Sequence, residues 1–234
     1  FKITAKQLES SLTDQTRLLI LNSPSNPTGK VYSAKEYREL GDVLVENPKV
    51  MIVCDDIYEH IYWGDEPFHT LLNVCPELAK RTVIINGVSK AYAMTGWRIG
   101  YAAGPLKLIT AMRKVQGQST SGACSISQAA ATAALNGPQD CVTEMCAEYK
   151  RRYEYLLEAL NDIDGVECED CDGAFYSFPS FKGVIDRMPE IRDDVDLAAW
   201  MLENAGVAMV PGTAFGAPGH LRLSFATSME NLQT

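Results

Sequence analysis

The sequence predicts an α/β fold: a mostly parallel sheet flanked by helices, followed by a smaller α+β unit. Three observations carry this expectation. Short continuous apolar runs at 17–21, 50–53 and 83–85 each end in a loop rich in asparagine, aspartate, glycine or proline, the pattern of parallel strands buried on both faces. A helix-period segment separates the first two runs, as a crossover requires. Past Gly137-Pro138 the chain changes character, to one long amphipathic helix and then several short strands. The expected division is therefore 1–137 for a large domain and 138–234 for a connecting helix plus a small domain. At 234 residues, 46% hydrophobic and 22% charged, the chain can bury a sizeable core.

Taken in order, a short amphipathic piece precedes the strand at 17–21. The loop Asn22-Ser23-Pro24-Ser25-Asn26-Pro27-Thr28-Gly29 follows, and its two prolines forbid helix at what would be the carboxyl edge of the sheet. Gly29-Lys30 does not complete a phosphate loop, because Pro24 stands where glycine is needed and Val31 where Ser or Thr is needed. Asn26 can donate and accept at once, or simply build an Asx turn before proline. Ser33 and Glu36 form a capping box for a helix in which Tyr37, Leu40, Val43 and Leu44 recur at helical spacing. The second strand ends in Cys54-Asp55-Asp56-Ile57-Tyr58, whose paired carboxylates suit a cationic ring nitrogen, a metal ion or a helix cap. The third strand leads to Ser89-Lys90-Ala91-Tyr92-Ala93-Met94-Thr95-Gly96-Trp97-Arg98-Ile99-Gly100-Tyr101. A lysine just past the carboxyl end of a buried strand stands where open α/β sheets bind ligands; partly out of water it loses pKa and becomes an amine nucleophile. Arg98, framed by glycines, can grip a phosphate with its planar fork.

A short strand of small residues is expected over 99–104, in a direction the spacing does not set, and polar 116–121 reads as a loop. The long helix presents Val142, Met145, Cys146, Tyr149, Tyr153, Leu156, Leu157 and Leu160 on one face and ends before Gly165. In the small unit, strands are expected near 166–169, 174–178, 207–210 and 221–225, with a helix near 195–205 stopped by Gly206. Arg222 alternates with Leu221, Leu223 and Phe225, so it projects from the opposite face, flanked by the small Ser224 and Ala226. Thr227-Ser228-Met229-Glu230 has the form of a last capping box.

With 30 acidic against 21 basic residues, a formal charge of −9 and no basic run, a nucleic-acid partner is disfavoured. No apolar run of about 18 residues appears, so no membrane partner is expected. Seven scattered cysteines suit a reducing, cytoplasmic setting. Cys54 and Cys124 are expected to pack as small hydrophobes, and Cys168-Glu169-Asp170-Cys171 to form a surface loop, with acidic neighbours that raise the thiol pKa and no partners for a metal site.

Four stretches in this order, Asn22 to Gly29, Asp55 to Tyr58, Ser89 to Tyr101 and His220-Leu221-Arg222-Leu223-Ser224-Phe225-Ala226-Thr227, closely resemble fold-type I pyridoxal-phosphate aminotransferases of the aspartate aminotransferase family. The resemblance runs end to end but covers only the later part of a longer family, which implies a piece lacking the amino-terminal third or more and apolar surface left uncovered on the large domain. It implies a three-layer α/β/α large domain, an antiparallel strand at 99–104, a cis Asn26-Pro27 bond and a homodimer. It implies pyridoxal 5′-phosphate held by Lys90, with Ser89 and Arg98 at its phosphate, Asp55 at its ring nitrogen, and Tyr58 and Asn26 at its phenolic oxygen. Arg222, with Asn26, would take the substrate carboxylate, and no metal is implied. The implied reaction moves an amino group between an amino acid, aspartate-like or aromatic, and a 2-oxo acid by a ping-pong cycle. A lyase on the same scaffold and the effector domain of an aminotransferase-like transcription regulator are the alternatives; which bond at Cα breaks, and whether a helix-turn-helix lies upstream, separate them.

Overall fold

A computed structural model describes all residues, 1–234. The chain opens with helix α1 (Ala5–Ser11), held by a Thr4/Gln7 capping box. Strand β1 (Leu18–Asn22) follows, then helix α2 (Ala34–Glu46), where the Ser33/Glu36 box forms as the sequence expects. After β2 (Met51–Asp55) come a one-turn helix α3 (Leu71–Val74), β3 (Thr82–Gly87) and β4 (Gly100–Ala103). Strand order is β1-β2-β3-β4; the first three are parallel, and β4 runs antiparallel to β3, as the resemblance implied. Helices α4 (Leu106–Ser119), α5 (Ser125–Asn136) and the long α6 (Asp140–Asn161) lead to the second unit. There β5 (Tyr176–Ser177), α7 (Lys182–Ile185), α8 (Asp194–Ala205), β6 (Val210–Pro211) and β7 (Leu221–Ser224) build a small antiparallel sheet, order β5-β7-β6, before α9 (Met229–Gln233).

Two main cores form. In the first, Tyr37, Leu40 and Leu44 of α2 pack with Leu21 of β1 and Ile52 and Cys54 of β2. In the second, Tyr153, Leu156 and Leu160 of α6 pack with Leu197, Leu221 and Phe225. A small cluster brings Tyr58 and Ile61 of the first unit against Ala174 and Tyr176 of the second. The joint is tight: a Cβ on Gly29, whose φ is +65°, would lie 2.6 Å from the carbonyl oxygen of Gly173. Glycine is required there for conformation and for clearance.

Several expectations need correction. Burial of β1 holds on one face only: Leu21 is buried, while Leu18 and Ile20 stay 50% and 63% exposed, because nothing in this chain covers that side. The expected uncovered apolar surface lies here and continues to Ile85 and Tyr101. Residues 116–119 are not loop but the last turn of α4, in which the apolar spacing of Leu106, Ile109, Met112 and Val115 stops before Gln116-Gly117-Gln118-Ser119, leaving no apolar residue to mark the helix end. No strand forms near 166–169, where only Glu167 bridges Ser180, and the strands expected at 174–178 and 207–210 shrink to two residues each. The last cap is Ser228, not Thr227: its hydroxyl accepts from the Asn231 N–H. Cys54 is buried as expected, but Cys124 is exposed. Cys168 and Cys171 are buried rather than on a surface loop, and burial, more than the acidic neighbours, pushes their thiols up to about 11 and about 12.

Candidate active site

The parallel register aligns Asn22, Asp55 and Ile85 at the carboxyl ends of β1, β2 and β3, and each strand then delivers a polar segment to the same edge. Because side chains alternate along a strand, Asp55 and Asp56 part company. Asp56 follows Ile52 and Cys54 to the core side and is buried beside Tyr37, with Oδ2 unpartnered. Burial first, and then Glu59 and Asp55, push its carboxyl up to about 7. Asp55 faces the other way. Its Oδ1 accepts from the Ile57 N–H at 3.3 Å, and its carboxyl is raised by burial against the opposing pull of that bond and of the Lys90 charge.

Lys90, half-buried after β3, carries its Nζ 5.6 Å from the ring centroids of both Tyr58 and Phe175. The Tyr58 hydroxyl is buried and bonds the Tyr176 hydroxyl at 3.1 Å; burial, the Tyr176 bond and nearby charge raise its pKa. From the second unit, Arg222 Nη1 donates to Asn26 Oδ1 at 2.8 Å. The guanidinium carbon lies 4.6 Å from the ring centroid of Tyr176 and 5.2 Å from that of Phe215. The expectation of small neighbours alone is therefore corrected: aromatic rings, not just Ser224 and Ala226, frame this arginine. Its Nε is buried without a partner. Asn26 in turn donates its backbone N–H to Asn22 Oδ1 at 2.8 Å, and Asn22 Nδ2 donates to the Asp55 carbonyl at 2.9 Å. The Asn26-Pro27 bond is cis, as expected, and so is Ser23-Pro24.

The structure thus brings Asp55, Tyr58, Lys90, Asn26 and Arg222 together. Ser89 is half-buried beside Lys90. Arg98 reaches the same sheet edge just before β4, in left-handed conformation (φ 48°), but its exposed guanidinium donates to the Thr95 carbonyl at 2.9 Å rather than to any of the others. Asn22, Phe175, Tyr176 and Phe215 are site neighbours that sequence reasoning missed. For Asn22 a signal existed, a polar amide closing an apolar strand; for the aromatics none did, since aromatic residues in a strand read as core. An amine, a carboxylate, a phenol and a guanidinium gathered in this way offer a nucleophile beside groups able to hold a cation and a carboxylate.

The sequence model of the family described as aminotransferase class I and II matches residues 1–234. The chain belongs to this family. It is 50% identical to an aspartate/prephenate aminotransferase of Nitrosomonas europaea, over 100% of this chain and 60% of that protein. It is 49% identical to an aspartate aminotransferase of Rhizobium meliloti, over 100% of this chain and 58% of that one. Among solved structures, the Rhizobium meliloti aspartate aminotransferase superposes with a TM-score of 0.94 at 49% identity, covering 99% of this chain and 59% of that one. An aromatic aminotransferase from Pyrococcus horikoshii gives 0.90 at 36% identity, covering 100% and 61%. The chain spans about 60% of the length of the curated relatives it matches.

Proposed function

We propose that the protein transfers an amino group between an amino acid and a 2-oxo acid, with pyridoxal 5′-phosphate as cofactor. The observation that carries this reading is the placement of the Lys90 amine over Tyr58, with Asp55 beside it and the Arg222–Asn26 pair at the same cleft. The residues fit the cofactor: Lys90 would hold it covalently, Ser89 and Arg98 would take its phosphate, Asp55 its ring nitrogen, and Tyr58 with Asn26 its phenolic oxygen. Arg98 would have to release the Thr95 carbonyl to do so. When bound, the cofactor supplies an electron sink for the substrate's Cα electrons. Asp55, ionised, holds a proton on the facing nitrogen. Arg222 binds and orients the substrate α-carboxylate, a task that suits its planar fork. Lys90, with its amine free, would remove the substrate's Cα proton and return it two atoms along, across the intervening nitrogen, as general base and then acid.

Similarity to enzymes named for aspartate, prephenate and aromatic substrates supports an aspartate-like or aromatic amino donor. We further take 1–137 and 138–234 as the two domains, a division that the separate cores support, and a cytoplasmic homodimer as the working form. No helix is long and apolar enough to cross a membrane. Mixing the complete polypeptide, loaded with cofactor, with aspartate or phenylalanine and no oxo acid tests the reading. One equivalent of 2-oxo acid should form per site, the nitrogen staying on the enzyme until a 2-oxo acid is added. Continuous release of ammonia or carbon dioxide would contradict it.

A further inference from the structure

We propose that Tyr176 is a positioning residue with two functions: its ring supports the Arg222 guanidinium, and its hydroxyl orients the Tyr58 hydroxyl. This rests on the functional reading above. Tyr176 lies on the two-residue strand β5, opposite Ser224 of β7, so Arg222 is its diagonal neighbour on the same face. The guanidinium carbon of the half-buried Arg222 stands 4.6 Å from the Tyr176 ring centroid and 5.2 Å from that of Phe215, a cation–π contact. The other end of the same side chain meets the Tyr58 hydroxyl at 3.1 Å, the hydrogen bond that the Tyr58 phenol makes. Both tyrosines are buried, at 3% and 7% exposure. One rigid ring therefore spans the groups assigned to the substrate carboxylate and to the cofactor's phenolic oxygen.

As the pair stands either hydroxyl can donate, and the bond raises the Tyr58 pKa, as it does when Tyr58 is the donor. With an oxygen bound beside it, Tyr58 turns its proton to that oxygen and accepts from Tyr176 instead, which makes it a stronger donor through cooperativity. The groups that bear on the Tyr58 hydroxyl are Tyr176, Arg222 and Asp55, with Lys90 over its ring. Loss of the Tyr176 hydroxyl should weaken Tyr58 as a donor, so that an adjacent phenolate is less stabilised and the nitrogen facing that phenolate keeps its proton to higher pH.

The test uses the complete polypeptide loaded with pyridoxal phosphate and two readouts other than turnover. These are the pH midpoint of the bound cofactor's visible absorbance and the Kd of maleate, a dicarboxylate probe, from the spectral change it induces. Tyr176→Phe keeps the ring and should raise the pH midpoint by about half a unit or more while leaving the maleate Kd within about twofold. Tyr176→Leu should shift the midpoint equally and weaken maleate about five- to tenfold. In a Tyr58→Phe background, Tyr176→Phe should add no further shift. An unmoved midpoint in Tyr176→Phe overturns the proposal, and that variant stands even if Tyr176→Leu fails to fold. An additive shift in the Tyr58→Phe background, or maleate binding unchanged in a folded Tyr176→Leu, overturns it too. Wild-type protein that takes up no cofactor would sink the functional reading first, and the proposal with it.

Discussion

Asp194 offers a stability test whose size can be worked from the structure. Its side chain is fully buried at the start of α8 and accepts from the Thr213 N–H at 2.7 Å, the Thr213 hydroxyl at 2.8 Å and the Gly219 N–H at 3.1 Å. These bonds tie down the turn 212–220, which carries Phe215 to within 5.2 Å of the Arg222 guanidinium. Asp194→Asn keeps one oxygen but points an NH2 group at a buried N–H. At least one charge-assisted bond is lost, about 1.5–3 kcal/mol, and one buried donor goes unsatisfied, about 1–3 kcal/mol. Because the Asn oxygen still accepts, we expect a net cost of about 2–4 kcal/mol, read in urea as a midpoint lower by about 1–2 M at unchanged slope. Burial alone would raise the Asp194 carboxyl, but the Thr213 and Gly219 bonds outweigh it and hold the carboxyl below the usual range. A depressed folded pKa stabilises above the unfolded value, about 3.9, and that stability drains away as pH falls through the folded value. The gap between wild type and Asp194→Asn should therefore narrow in strong acid. A loss under about 0.5 kcal/mol at neutral pH would refute the account of this anchor.

Asp56 should behave in the opposite sense. Its folded pKa is raised to about 7, so its ionisation opposes folding, and the loss accumulates as pH climbs from the unfolded value through 7. Asp56→Asn should then gain on wild type by on the order of 2–4 kcal/mol between pH 4 and pH 8, measured by urea unfolding at both; a constant difference would contradict it. Asp55→Asn should still bind cofactor yet lose about a hundredfold or more in rate, because a neutral amide no longer holds the facing nitrogen protonated. Near-normal turnover in single-turnover assays would assign that task elsewhere.

Much of the large unit was legible because its signals are local. Apolar runs ending in Asn22, Asp55 and Gly87 marked parallel strands and their carboxyl edge, and the edge is where Asp55, Tyr58 and Lys90 gather. The opposite fates of Asp55 and Asp56 also follow from strand alternation, though only once β2 is known to extend through Asp55. Illegible features depend on contacts distant in sequence. Tyr176 meets Tyr58 across 118 residues and Asn26 meets Arg222 across 196; no period within β5 or β7 encodes either meeting. Strands β5 and β6 are two residues long, too short for alternation to register. Cys168 and Cys171 look exposed beside Glu169 and Asp170, yet α6 packs over them through Tyr153, whose hydroxyl accepts from the Cys171 N–H. Leu18 and Ile20 mark β1 as a strand buried on both faces, and only the structure shows which face this chain covers.

The central claim is that Lys90 is the amine that carries the cofactor. Treating the complete, pyridoxal-phosphate-loaded polypeptide with sodium borohydride and mapping the reduced adduct by mass spectrometry tests it most directly. The account predicts loss of the visible absorbance band and a pyridoxyl group on the peptide containing Lys90, with none on Lys30 or any other lysine. An adduct on a different lysine, or a cofactor released intact by denaturation after borohydride, would contradict it.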